Sequence, residues 1–78
     1  MTETRNRVLI VDDEVFFLEA IDEILSAANF ETIKVKDGES ALVAVADPKI
    51  GVVVLDVRLP DMDGIQVLAA IQIGRAHV

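Results

Sequence analysis

Two short apolar runs in this chain each end abruptly in acid. Residues 8–11 (Val-Leu-Ile-Val) lead into Asp12-Asp13, and residues 50–55 (Ile-Gly-Val-Val-Val-Leu) lead into Asp56. A continuous apolar run of roughly four to eight residues suits a strand buried on both faces, and such strands belong to parallel sheets covered by helices. The second run contains Val52-Val53-Val54 and no charge, which makes it the strongest buried-strand signal in the chain. A third segment, 32–36, carries β-branched Thr32, Ile33 and Val35, and reads as a more exposed strand with Lys34 and Lys36 toward solvent.

Helical patterns separate these runs. Over 14–28, Phe17, Ile21, Ile24, Leu25 and Ala28 form an apolar stripe at helical spacing, with Glu19, Asp22 and Glu23 on the other face. Asn29 tolerates left-handed backbone and suits the helix exit. Asp37-Gly38 marks a turn, Ala41, Leu42 and Val45 give 39–46 a short apolar face, and Asp47-Pro48 stops it. A loop containing Pro60 ends at Gly64, after which Ile65, Leu68 and Ile71 recur at three-residue steps with Val67 beside them. The expected elements are strands at about 7–12, 32–36 and 50–56, and helices at 14–28, 39–46 and 64–73. Residues 74–78 have no clear periodicity, and His77 reads as a tail residue.

Strands that alternate with helices argue for right-handed βαβ units and an α/β fold. With two crossovers, one helix lies on each face of the sheet or both lie on one, and the last helix helps cover what remains. The chain of 78 residues has room for one domain at most, of small core and marginal stability. A 53% hydrophobic content in patterned runs argues against disorder.

Charge and residue content remove several function classes. Seven Lys and Arg against fourteen Asp and Glu give a formal charge of −7. That balance disfavours nucleic acid and anionic membrane surfaces and is compatible with a hard cation such as magnesium. With no cysteine, disulfides, thiolate catalysis and thiolate zinc sites are excluded. No run is long and apolar enough for a secretory signal or a membrane span, so the cytoplasm is the simplest expected location.

In open α/β sheets, ligands bind outside the carboxyl ends of the strands. If the two acid-ending strands are neighbours, Asp12, Asp13 and Asp56 converge there. Gathering like charges is costly unless a cation or hydrogen bonds compensate. Magnesium is the natural compensator, and beside it one carboxylate could act as nucleophile toward phosphorus. The plainer alternative is that Asp12-Asp13 caps the first helix and Asp56 opens a loop. Asp61 and Asp63 read as a solvated turn and an N-terminal helix partner. Their spacing resembles part of a calcium loop, but the remaining ligand positions do not follow.

Taken in order, the strand into Asp12-Asp13-Glu14, the Asp37-Gly38 turn, the strand into Asp56 and the loop Arg58-Leu59-Pro60-Asp61-Met62-Asp63-Gly64 resemble the receiver domain of bacterial response regulators. The resemblance implies a flavodoxin-like fold with sheet order 2-1-3-4-5, of which this sequence supplies the first three strand–helix units, in order 2-1-3. It implies Asp56 as the acceptor of a phosphoryl group from a sensor histidine kinase or phosphotransfer protein. It implies Mg2+ bound by Asp13, Asp56 and the backbone carbonyl of Arg58, with Asp12 positioning the metal and its waters. Pro60 and Gly64 would shape the loop.

The family's phosphoryl-contacting Ser or Thr, switch aromatic, Lys and usual output face belong to the fourth and fifth units, and Lys36 on the outer strand reads as a solvated turn lysine. The expectation is therefore a fragment with impaired phosphotransfer and at most weak self-phosphorylation and autodephosphorylation, in which 50–55 becomes an unprotected edge. The alternative is a non-catalytic module that self-associates, or completes another fragment, through that edge.

Overall fold

The computed structural model describes residues 6–56 and 58–75, with side chains described as far as Ile71; expectations for the tail, His77 included, lie outside the described residues. The elements run β1 (Arg7–Val11), α1 (Val15–Ala27), β2 (Glu31–Val35), α2 (Gly38–Ala44), β3 (Ile50–Leu55) and α3 (Gly64–Arg75). The strands form one parallel sheet in the order β2-β1-β3, the incomplete flavodoxin-like arrangement expected.

β1 lies at the centre of the sheet, between β2 and β3, with apolar side chains toward both faces. Leu9 and Val11 point to one side, into a cluster with Ala41, Ile50, Val67 and Ile71. Val8 and Ile10 point to the other, against Leu18, Ile21 and Leu25. Helices therefore lie on both faces, α1 on one and α2 with α3 on the other.

The stripe on α1 differs from the expected one. Leu18 is its buried anchor, supported by Ile21 and Leu25, whereas Phe17 and Ile24 stay exposed. At about 100° per residue, Phe17 and Ile24 lie roughly 100–120° round the helix from Leu18, too far to reach the sheet beneath it. They also lie on the side away from β2. On the β2 side, Asp22 accepts hydrogen bonds from Thr32 and Ser26, and Lys34 Nζ stands 3.1 Å from carboxylate oxygens of both Asp22 and Glu19. Asp22 and Lys34, expected to face solvent, thus tether α1 to β2. The bond from Thr32, followed by that from Lys34, lowers the Asp22 pKa, and Glu19 followed by Asp22 raises that of Lys34.

Helix α1 ends as its sequence suggests. Asn29 adopts φ 71°, its N–H donates to the Ser26 carbonyl, and Phe30 N–H donates back to Leu25. This pair of bonds satisfies carbonyls that the last helical turn would otherwise leave unpaired. At the opposite end of the sheet from the acids, Arg7 bridges Glu31 and Asp47 and joins the starts of β1 and β2 to the turn before β3.

Candidate functional site

Parallel pairing brings the acids together. Val11 is registered with Leu55, so the next residue of each strand leaves the sheet beside the other. The ladder continues one step further: Asp56 N–H donates to the Val11 carbonyl at 2.9 Å, and Asp12 N–H to the Val35 carbonyl at 3.1 Å. Asp12, Asp13 and Asp56 each offer a carboxylate oxygen, and these oxygens all lie within 4.8 Å of one another. Asp12 and Asp56 are half-buried and Asp13 is exposed.

Two of the three carboxylates are held by backbone. Asp12 Oδ1 accepts from Glu14 N–H at 2.9 Å and so turns the chain into α1, while Glu14 itself forms no side-chain cap. Asp56 Oδ1 accepts from Arg58 N–H at 3.2 Å. The plainer alternative thus holds locally for Asp12 and for Asp56, but it gives Asp13 no role, and among the described residues it engages one oxygen each of Asp12 and Asp56. Among the described residues no lysine or arginine forms an ion pair with any of the three. Lys36 is one of the cations that does not.

The donor set fits a small hard cation. Magnesium holds oxygens at about 2.1 Å in an octahedron, which places pairs of ligands roughly 3–4 Å apart. Carboxylate oxygens already within 4.8 Å need only small side-chain adjustments to meet that geometry. A cation there would also offset the mutual repulsion that the protein's own side chains leave uncompensated.

The loop following Asp56 is tied at both ends. Arg58 and Asp63 form an antiparallel bridge across it. Asp63 accepts from Ile65 N–H at 3.1 Å, and Gln66 Oε1 accepts from Asp63 N–H at 2.9 Å, a reciprocal cap on α3. Asp63 is therefore the N-terminal helix partner expected.

Asp61 departs from expectation. Although exposed, it is more than a solvated turn residue, because its carboxylate accepts from Gly38 N–H at 2.7 Å and from Glu39 N–H at 2.9 Å. Those two bonds, Gly38 first, hold its pKa below the usual carboxylate value. Beside it, Met62 packs onto Gly38 so closely that a Cβ there would come within 2.3 Å of Met62 Cγ. No local pattern announces this contact, since the partners lie 22 and 23 residues away.

Comparison with known proteins agrees with this geometry. Residues 8–78 match the family model described as the response regulator receiver domain. Over 67 residues the chain is 39% identical to the DNA-binding response regulator MtrA of Mycobacterium tuberculosis, covering 86% of this chain and 29% of that protein. It is 41% identical over 63 residues to the regulatory protein AtoC of Escherichia coli, covering 81% and 14% respectively.

Among solved structures, the chemotaxis response regulator CheY4 of Vibrio cholerae superposes with a TM-score of 0.85 at 26% identity, covering 97% of this chain and 62% of that one. The receiver domain of Francisella response regulator 1452 gives 0.83 at 26% identity, covering 90% and 58%. The chain thus spans less than a third of these curated relatives and little more than half of the solved receivers. With the sheet order, the placement of the acids and the match over residues 8–78 in agreement, the chain belongs to the response regulator receiver domain family.

Proposed function

We propose that Asp56 accepts a phosphoryl group, with a divalent cation, Mg2+ by its chemistry, held by Asp13, Asp56 and the Arg58 carbonyl and positioned by Asp12. The observation that carries this reading is the triad of carboxylates at adjoining strand ends, with no side-chain cation paired to it among the described residues. When bound, the cation supplies charge neutralisation for phosphoryl oxygens.

The chain's own groups supply orientation. Arg58 N–H holds Asp56 Oδ1, which leaves Oδ2 as the attacking atom. Oδ2 forms a bond to phosphorus as the bond to the donor breaks, and the leaving group takes the electron pair. The donor in this reading is the phosphohistidine of a sensor kinase or phosphotransfer protein, or a small acyl phosphate in its place. Among the described residues no lysine pairs with the three acids to meet developing charge, so transfer by these 78 residues is expected to be slow.

The test is incorporation of phosphate from a small acyl phosphate, followed by intact mass and base lability. The expected result is a magnesium-dependent adduct that Asp56→Asn abolishes. A folded sample with no adduct overturns the reading.

A second reading rests on β3, which is the last strand of the sheet among the described residues and whose Val52 and Val54 are exposed. On that reading the chain self-associates through β3. Light scattering across a concentration series decides it, and a clean monomer at the highest concentration counts against it.

A further inference from the structure

We infer that Asp61 is a positioning residue that clamps the acceptor loop to the N-terminus of α2 and thereby sets the placement of Arg58 and Asp56. This role rests on the phosphoryl-acceptor reading of the site. Among described residues 58–63, the side-chain and backbone hydrogen bonds that join the loop to an element other than α3 are those the Asp61 carboxylate accepts from Gly38 N–H and Glu39 N–H. The remaining bonds close the loop on itself or join it to α3. Without Asp61, the polar restraints define the loop's shape but not its position against the sheet edge.

The two partners of this clamp order each other. Helix α2 has seven residues, too few to be stable by itself. Its first three amides are all taken by carboxylates: Gly38 and Glu39 by Asp61, and Ser40 by Asp37 at 2.7 Å. A bidentate carboxylate at this end also opposes the positive pole of the helix.

An apolar contact seals the junction. A Cβ on Gly38 would lie 2.3 Å from Met62 Cγ, 2.5 Å from Met62 Sδ and 3.1 Å from Val67 Cγ2. The absent side chain at position 38 is what lets Met62, and Asp61 with it, come this close. Asp61 is three residues from Arg58, whose N–H orients the Asp56 carboxylate, so a shift of the clamp is passed along a short bridged loop to the reacting group.

The junction can be broken from either side. Asp61→Ala removes both acceptors, Asp61→Asn keeps a single carbonyl acceptor, and Gly38→Ala wedges Met62 outward. Amide spectra with hydrogen exchange, a Mg2+ titration and acyl-phosphate labelling are measured on each variant and on the unaltered chain. For Asp61→Ala the expected result is lost protection at the Gly38 and Glu39 amides, β1 amides unchanged, and Mg2+ affinity and labelling both about tenfold lower, the scale seen when partners that orient metal ligands are removed. Asp61→Asn falls between the two, and Gly38→Ala shifts the site in the same direction as Asp61→Ala.

Wild-type Mg2+ affinity and labelling in Asp61→Ala, with Gly38 and Glu39 unprotected, overturn the inference and leave Asp61 a plain helix cap. If Asp61→Ala does not fold, Asp61→Asn and Gly38→Ala carry the test, and unaltered affinity and labelling in both overturn it. If the unaltered chain is folded yet neither binds Mg2+ nor labels, the acceptor reading itself fails and this role falls with it.

Discussion

β1 and β3 are built from nearly the same residues, and the fold treats them differently. Leu9 and Ile10 in β1 are fully buried, at 0% exposure, while Val52 and Val54 in β3 are 53% and 37% exposed. β1 has a strand on each side and helices on both faces. β3 has one neighbouring strand, and on the α1 side no helix lies over it among the described residues. The geometry explains why. A helix about 10 Å wide covers about two strands spaced roughly 4.8 Å apart, and α1 is held over β1 and β2 by Asp22 and Lys34.

On its other face β3 is better served: Ile50 is buried, and Val53 and Leu55 pack beneath α3. Even there, Val53, Leu55, Ile65 and Leu68 line an apolar groove of ≈ 350 Å³ along the outer flank. An apolar run thus reports how strongly a strand favours burial, while its neighbours determine how much of it is buried.

The widest separation between the two strands should appear in stability. Leu9→Ala removes a fully buried side chain and should cost about 2–5 kcal/mol, a large share of what a domain this small possesses, so that the chain is largely unfolded. Val54→Ala, at a half-exposed position, should cost about 1 kcal/mol or less. Denaturant titration measures both, and equal losses would break the comparison. Hydrogen exchange sharpens it residue by residue: β1 amides should exchange most slowly, while alternate β3 amides, aimed at the open edge, should exchange early.

A smaller effect is expected from charging the exposed flank. Val52→Lys with Val54→Lys should change stability by about 0.5 kcal/mol or less, and should lower the scattering mass if the chain pairs through β3. An unchanged mass in an associating sample would place the contact elsewhere.

The smallest effect concerns the tether that keeps α1 away from β3. Because Asp22 has a pKa below its ordinary value of 3.8, its contribution is present above that value and is lost as pH falls through the lower folded one. Lys34 is raised above 10.5, so its contribution is complete below that and is lost as pH rises through the folded value. Lys34 is exposed and Asp22 only half-buried, so solvent screens the pair and the change should be slight. Carboxyl chemical shifts should show Asp22 titrating below a reference aspartate, and a normal midpoint would remove this tether from the account.

Much of the molecule was legible in one dimension. Short apolar runs between helical patterns announced the α/β class, and two acid-ended strands announced a shared acidic corner, because side-chain period and strand polarity are local properties. The helix exit at Asn29 and the cap at Asp63 were legible for the same reason. The anchor of α1 was not: the hydrophobic pattern admits a stripe through Phe17 and Ile24 as readily as one through Leu18, and only the position of the sheet decides. Asp22, Lys34 and Asp61 were read as solvent-facing because their partners are distant in sequence.

The sequence by itself therefore determined which segments become strands and helices, and that Asp12, Asp13 and Asp56 stand at strand ends. Both follow from hydrophobic periodicity and turn chemistry, which act over a few residues. The edge position of β3 followed from the resemblance to the receiver fold, whereas only the tertiary structure decided that Leu18 rather than Phe17 or Ile24 anchors α1, and that Asp61 joins the loop after Asp56 to α2. Those outcomes depend on which elements are neighbours in space, and neighbourhood is set by the competition of all the elements for one small core.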